Sequence, residues 1–326
     1  MENASPRAAG PWFLRDRRVA RGYFAVQAAA GALWWIGVFT LDGVRLATLG
    51  GLDPVLVFWL DLPLFVCASA LAAAGIRSAS AGVACWSVLV TVGMVIYATV
   101  TGLAGWGALV MLAAAVGSTG AALILWVGRV PSEWLISGPF AFRTARVTKR
   151  ASLLWLTAAQ TSVFWVLFLG VFPAAIVLLE RRWDLAITFP PALRLIGIVL
   201  FLAGSVLGIW SAVTMATRGR GTPLPAAMTT ELVIAGPFRF VRNPMALGSI
   251  TQGIAVGLMA GSWLIVLYAL AGALIWDWLI RPHEEANLSA RFDEAFERYR
   301  RAVRCWIPTW RGIPSGPATT RAARNP

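Results

Sequence analysis

The polar chemistry of this chain is gathered in two short stretches. The first is Gly236-Pro237-Phe238-Arg239-Phe240-Val241-Arg242-Asn243-Pro244-Met245. The second opens about forty residues later with Glu284-Glu285 and continues as Arg291-Phe292-Asp293-Glu294-Ala295-Phe296-Glu297-Arg298-Tyr299. Gly236-Pro237 and Asn243-Pro244 both signal tight turns. Between them, Arg239 and Arg242 are three apart, so a helical turn would put both guanidinium groups on one face. Such a pair suits a carboxylate or a phosphate. The plainer alternative is that both arginines reach out to lipid headgroups. Pro282 predicts a break after which Glu284 and Glu285 open a new helix. There the helix dipole alone favours acids by about 0.3–1 kcal/mol. The functional reading of the same glutamates is a carboxylate held at a membrane surface for a cation or for ribose hydroxyls. Asp277 and Arg281, four apart, are placed to pair and to orient the glutamates. His283 is a weak candidate base and reads equally as a solvated loop residue. Asp61, seven residues into an apolar run, is either a costly intramembrane acid or an interfacial one.

The elements that must carry these residues are apolar helices. The chain has 326 residues, 58% hydrophobic and 13% charged, with mean hydropathy +0.71; soluble proteins carry about twice that charged fraction. Candidate membrane helices are Tyr23–Leu41, Pro54–Ala74, Gly82–Val100, Gly105–Val127, Ala151–Leu179, Pro191–Met215, Met245–Ala260 and Trp263–Ile280. Runs of about 20 apolar residues cross a bilayer as helices, because lipid offers no partner for exposed backbone. The fold class expected is therefore all-α: a polytopic membrane bundle of about eight helices, the last two a hairpin turning at Gly261-Ser262. That hairpin returns Pro244 and Glu284 to the same membrane face.

The net charge of +13 sits in the gaps between apolar runs. This suits topology and contact with anionic headgroups better than nucleic acid, which would need a basic face with aromatic readers on a soluble module. Arginines crowd the N-terminal tail, the loop at 128–150, the segment after Thr217 and the C-terminal tail, so both termini are expected in the cytosol. Arg181-Arg182 is the misfit, offset in part by Glu180 and Asp184. Cys67 and Cys85 lie in apolar runs, and with Cys305 they form no disulfide or metal spacing. A single histidine excludes a multi-histidine metal or haem site. The first apolar run reads as a membrane helix and not as a cleaved signal. Leu288, Phe292, Phe296, Tyr299 and Val303 recur as one apolar stripe, predicting an amphipathic cytosolic helix over Glu284–Arg304 limited by Pro308. Residues 311–326 are expected to be disordered. Ser137-Gly138-Pro139-Phe140-Ala141-Phe142-Arg143 echoes Ala235–Phe240 and reads as a turn leading into a helix.

The segment 236–245, the preceding Gly219-Arg220-Gly221-Thr222-Pro223, Glu284-Glu285 and the run from Phe292 to Pro308 resemble the isoprenylcysteine carboxyl methyltransferase and phospholipid methyltransferase family. The resemblance covers about residues 195–310. It implies an integral-membrane enzyme that takes S-adenosyl-L-methionine as cofactor. It also implies a cofactor site around Leu232, Val233, Gly236, Phe238, Arg239, Arg242, Asn243, Pro244, Met245 and Glu284. Arg281 is then expected to contact the methyl acceptor, with Glu285 beside it. Phe238, Asn243 and Ala246 stand where the family pattern often has Tyr, His and Tyr, so the identity of the acceptor does not carry over.

Three organisational expectations follow: a four-helix region of unassigned role at 1–150, a methyltransferase-like core at 151–310 and the tail at 311–326. The partners expected are a lipophilic carboxylate or amine acceptor and membrane lipids, without nucleic acid, in what is expected to be a bacterial inner membrane. Two other functions fit an apolar bundle: an NADPH-dependent reductase of the sterol type, and a non-enzymatic transporter or scaffold. The first would carry more tyrosine and polar residues about its cofactor, and the second more polar residues within the bundle core.

Overall fold

The computed structural model describes residues 10–133, 150–222 and 229–313. Among these every regular element is helical. Helix α1 is Arg17–Thr40, α2 Asp42–Thr48, α3 Pro54–Ala74, α4 Arg77–Thr101, α5 Gly105–Val127, α6 Ala151–Arg182 and α7 Pro191–Arg218. Then come α8, Pro244–Ala260, and α9, Trp263–Ile275. A π-turn, Trp276–Ile280, carries α9 without interruption into α10, Arg281–Ala302. Among the described residues seven helical stretches are long and apolar enough to cross a membrane, and α8 at 17 residues is a shorter eighth. This is the polytopic all-α bundle expected, and the protein is an integral membrane protein. The short α2 and the extra turns at the helix ends were not legible as apolar runs, because Arg17, Arg77 and Arg218 end those helices in polar residues.

The chain clusters into two compact units, one of Pro11–Pro131 with Leu178–Ala186, the other of Met1–Gly10, Ser132–Val177 and Ile187–Pro326. In the first, α1, α3, α4 and α5 pack around Phe24, Phe65, Val83 and Ile124. Polar side chains tie these helices together. Gln27 Nε2 donates to Ser69 Oγ at 3.0 Å, and Gln27 Oε1 accepts from Tyr23 at 2.6 Å and Ser118 at 2.9 Å. Where lipid surrounds a bundle, such interhelical bonds and close packing take the place of the hydrophobic effect. Asp61 belongs to this framework. It is buried, and its two oxygens accept the indole N–H groups of Trp35 and Trp86, each at 3.0 Å. The awkward Arg182 is also accounted for: it donates to the carbonyls of Thr99 and Val100, capping the orphan carbonyls at the end of α4.

In the second unit α7 and α8 cross closely. A Cβ on Gly204 would lie 2.9 Å from the Gly248 carbonyl, and one on Gly248 would lie 3.0 Å from the Gly204 carbonyl. Glycine at both positions lets the backbones meet, and Gln252 Nε2 donates to Ser205 Oγ across the joint at 2.9 Å. The α8–α9 hairpin turns at Gly261-Ser262, where Ser262 caps α9 through the Ile265 amide at 3.2 Å. Pro244 and Ile280 therefore end at the same level.

The expected break at Pro282 is absent. A proline lacks the N–H for the i→i−4 bond, and its ring crowds that carbonyl. The π-turn immediately before it widens the helix and absorbs the conflict. Pro63, within the π-turn Leu62–Cys67, and Pro173, just after the π-turn Trp165–Val171, repeat the device. Glu284 and Glu285 consequently sit inside a continuous helix and not at a helix N-terminus, so the dipole explanation for them fails. The break comes instead at Asp293, where φ is 43° and ψ −125°. The apolar stripe is as expected: Phe292, Phe296, Tyr299 and Val303 are buried, with Leu288, Leu232, Ile234 and Ile313 packed against them. Ile313 also bonds to the Arg239 backbone, so residues 311–313 are placed against the core. The echo at 137–143, Pro223 and residues 314–326 lie outside the described residues.

Candidate functional site

The segment 236–245 is shaped by its turn residues. Gly236 has φ +52°, and a Cβ there would lie 2.8 Å from Thr214 Oγ1 and 3.1 Å from Trp210 Nε1, so the turn is pressed against α7. A single 3-10 turn, Gly236–Arg239, follows, and the chain then leaves helical conformation before Pro244 starts α8. This separates the two arginines expected on one face. Arg239 Nε donates to the Ile313 carbonyl at 2.6 Å. Arg242 turns the other way, donating through Nη1 to the Arg300 carbonyl and through Nη2 to Glu285 Oε1, each at 3.1 Å. They do not form a joint anion clamp, because the helical turn that would align them ends between them.

Glu285 is the hub. The same oxygen faces Arg281 Nη1 at 3.3 Å, and Arg281 Nε faces Asp277 Oδ1 at 2.9 Å, the i,i+4 pair read from the sequence. Trp306 Nε1 donates to that Asp277 oxygen at 2.8 Å. The hub is half-closed to water: the side chains of Arg242 and Glu285 are 10% and 15% exposed. Phe238 is buried, and its carbonyl accepts the Tyr299 hydroxyl at 2.6 Å. Burial raises the Tyr299 pKa, although the Arg242 charge opposes this, so the phenol stays a donor at any ordinary pH. Asn243 Nδ2 lies 3.5 Å from Cys305 Sγ.

Glu284 differs from its neighbour. It makes no hydrogen bond or ion pair with a described residue. Desolvation first, and the charge of Glu285 second, push its carboxyl up to about 7, with Arg281 pulling the other way. Asn287 and Arg291 follow it at i+3 and i+7 on one face of α10. Asn287 Oδ1 and Arg291 Nη1 are buried without hydrogen-bond partners, as is Arg242 Nε. Burial lowers the Arg291 pKa, and another of its nitrogens donates to the Thr229 carbonyl. This face therefore looks onto the strand of chain leading to Leu232 and the buried Val233. On the adjoining face of α10 a cavity of about 200 Å³ is lined by Arg281, Pro282, Glu285, Ala286, Ser289 and Arg300.

Residues 193–295 match the phospholipid methyltransferase family model. The match runs from α7 through the hairpin and past the Asp293 break, so it spans every residue of the polar cluster up to Arg291. It indicates a methyltransferase acting on membrane-lipid-type substrates. No curated protein and no solved structure matched the chain. Within the matched segment, Phe238, Arg242, Asn243, Arg281 and Glu285 share one connected region with α10. Leu232, Val233 and Gly236 lie along the loop that faces it, Pro244 is buried at the start of α8, and Met245 is half-buried. Arg239 is drawn off to Ile313. Asn287, Arg291, Tyr299, Arg300, Cys305 and Trp306 were not foreseen. The only available signals were the i+3 and i+7 spacing of Asn287 and Arg291 from Glu284, and the return of the chain after Ala302 carries no local mark.

Proposed function

We propose that this protein transfers a methyl group from S-adenosyl-L-methionine to a lipophilic, membrane-embedded acceptor bearing a carboxylate or an amine. The observation that carries this reading is the contrast between the two glutamates. Glu285 takes two guanidinium groups on one oxygen, whereas Glu284 is a half-buried, desolvated carboxylate with no hydrogen bond or ion pair to a described residue, on the helix face that also carries the buried, unpartnered Asn287 Oδ1 and Arg291 Nη1. A desolvated carboxylate of this kind is costly unless a positive ligand completes it. S-adenosylmethionine fits that need in charge and in hydrogen-bonding groups, and when bound it would supply an electrophilic methyl on a sulfonium with a neutral thioether as leaving group.

Glu284, Asn287 and Arg291, with the loop Leu232–Val233 and the turn at Gly236–Phe238, would hold the cofactor. The chain itself then has a positioning task. Desolvation pushes the Glu284 carboxyl up to about 7, and a bound cation would hold it ionised. The Arg242–Glu285–Arg281–Asp277 chain fixes the loop relative to α10, and Arg281 and Glu285 present their outer atoms to the cavity where an acceptor headgroup would sit. Alignment of two reactants can contribute about 7–11 kcal/mol, which suits a site with little acid–base machinery. A carboxylate acceptor needs no base. For an amine, His283, which shares a 2.8 Å hydrogen bond with Ser132 Oγ, is the neighbouring group able to take a proton. We place the polar site and both termini on the cytosolic side, and assign the methyltransferase core to residues 151–310, with a separate and unassigned role for the helices before it.

The test is equilibrium binding of S-adenosylmethionine to purified protein with NADPH as competitor, followed by transfer of labelled methyl into lipid extract. Saturable S-adenosylmethionine binding, insensitive to NADPH and lost in Glu284→Gln, is expected. Binding of NADPH alone would overturn the reading in favour of a reductase.

A further inference from the structure

After Ala302 the chain leaves the helix and runs irregularly as Val303–Ile313. From Arg298 to Ile313 it contains no acidic residue and five arginines. Arg301, Arg304 and Arg311 are exposed, and so are two large apolar side chains, Ile307 at 61% and Trp310 at 101%. The position of this segment is fixed by Trp306. Its indole packs edge-on against Trp276 at 5.2 Å and donates to Asp277, both within the last turn of the apolar stretch that ends at Ile280. Residues 306–310 are thereby held beside the end of that apolar stretch.

We propose that Arg304–Arg311 is a docking surface for an anionic lipid leaflet, with Ile307 and Trp310 seated at the headgroup–acyl boundary and Arg301, Arg304 and Arg311 against the phosphates. A tryptophan completely open to solvent, next to an isoleucine and at the end of a membrane span, is in the setting where amphipathic rings partition into the interface. Each arginine held at an anionic surface strengthens such partition by roughly fivefold. Charge complementarity selects an anionic lipid surface over a second protein surface, since the exposed charges here are all arginines, with no acidic residue from Arg298 to Ile313, and they flank two exposed apolar side chains beside the end of an apolar span. Docking also reaches the candidate site. The Arg242 amide donates to the Arg304 carbonyl at 3.0 Å, and the Thr309 amide donates to the Phe240 carbonyl at 2.8 Å, so a seated segment braces the loop that carries Arg242. The proposal does not depend on methyl transfer.

The test uses the full chain with Cys67, Cys85 and Cys305 replaced by serine or alanine. A spin label is placed in turn through Ile307→Cys, Trp310→Cys and, as a water-exposed control on α10, Glu294→Cys. Accessibility to oxygen and to a water-soluble nickel chelate is read in nanodiscs of phosphatidylcholine alone and of phosphatidylcholine with phosphatidylglycerol. In the anionic discs, labels at 307 and 310 should be several-fold more shielded from nickel than the label at 294. The shielding should fall in the neutral discs and on Arg301→Gln/Arg304→Gln/Arg311→Gln substitution. Nickel access at 307 and 310 equal to that at 294 in anionic discs would overturn the docking, and equal shielding in both lipids would overturn its dependence on anionic charge.

Discussion

Replacing Glu285 by glutamine keeps the shape of the hub and removes the charge that two guanidinium groups share. The consequences for those groups differ. Arg281 retains Asp277 at 2.9 Å. Arg242 retains only the Arg300 carbonyl at 3.1 Å, and its side chain is 10% exposed, so water can do little to compensate. Breaking a buried pair costs about 3–5 kcal/mol when the survivor is left bare. Here the glutamine oxygen can still accept from Arg242, and a hydrogen bond to a charged donor is worth about 1.5–3 kcal/mol. The difference leaves an expected destabilisation of about 2 kcal/mol. Arg281→Gln should cost less, about 1 kcal/mol, because Glu285 keeps Arg242. Asp42→Asn is the control: its pair with Arg45 is open to solvent, with side chains 83% and 42% exposed, and should contribute no more than about 0.5 kcal/mol. The assay is the denaturant midpoint of purified protein in one detergent, followed by tryptophan fluorescence. A Glu285→Gln midpoint no lower than that of Asp42→Asn, or an Arg281→Gln midpoint below that of Glu285→Gln, would refute the hub.

Three further outcomes are expected. The Glu284 carboxyl is raised from 4.5 to about 7 in the folded protein, so its stabilising contribution is complete below the lower value and lost as pH rises through the upper one. Without cofactor, Glu284→Gln should therefore be more stable than the parent at pH 8 by about 3 kcal/mol and equal to it near pH 4, read by denaturant midpoints at both. Gly236→Ala must place a Cβ at positive φ against Thr214 and Trp210. It should lose at least about 1–2 kcal/mol and disturb the loop, whereas Gly82→Ala, with open space around it, should be tolerated. Removing both indole donors from Asp61 through Trp35→Phe with Trp86→Phe should cost about 3–5 kcal/mol by stranding a buried carboxylate, and adding Asp61→Leu should restore most of it. A thermal scan showing no rescue would mean that the two indoles stabilise the unit by packing alone.

Much of the architecture was legible because lipid leaves few choices: runs such as Gly105–Val127 announce a helix and its limits together. The hairpin was legible for the same reason, and the tail stripe from its helical period through Phe292, Phe296 and Tyr299, although the kink at Asp293 within it left no mark in the pattern. Proline was the deceptive signal. Pro282 reads as a break in any local account, and the π-turn that neutralises it depends on the preceding Trp276–Ile280 having room to widen. In the candidate site, Arg242, Glu285, Arg281 and Asp277 could be named from spacing, but not the division of labour between Glu284 and Glu285. That depends on Arg242 arriving from forty residues away and choosing one carboxylate. Arg239 was assigned to the wrong company because a 3-10 turn one residue too short cannot be distinguished from a longer helix by sequence. Asp61 looked equally functional and interfacial until Trp35 and Trp86, on two other helices, were found on its two oxygens.

The most direct measurement is ultraviolet cross-linking of methyl-labelled S-adenosylmethionine to the purified protein, with the adduct located by peptide mapping. Label confined to peptides covering 229–245 and 281–291, displaced by unlabelled cofactor and lost in Glu284→Gln, is the predicted result. Saturable label in the unit formed by residues 11–131, or labelling of the Glu284→Gln protein equal to the parent, would contradict a cofactor held between the proline-bounded loop and α10.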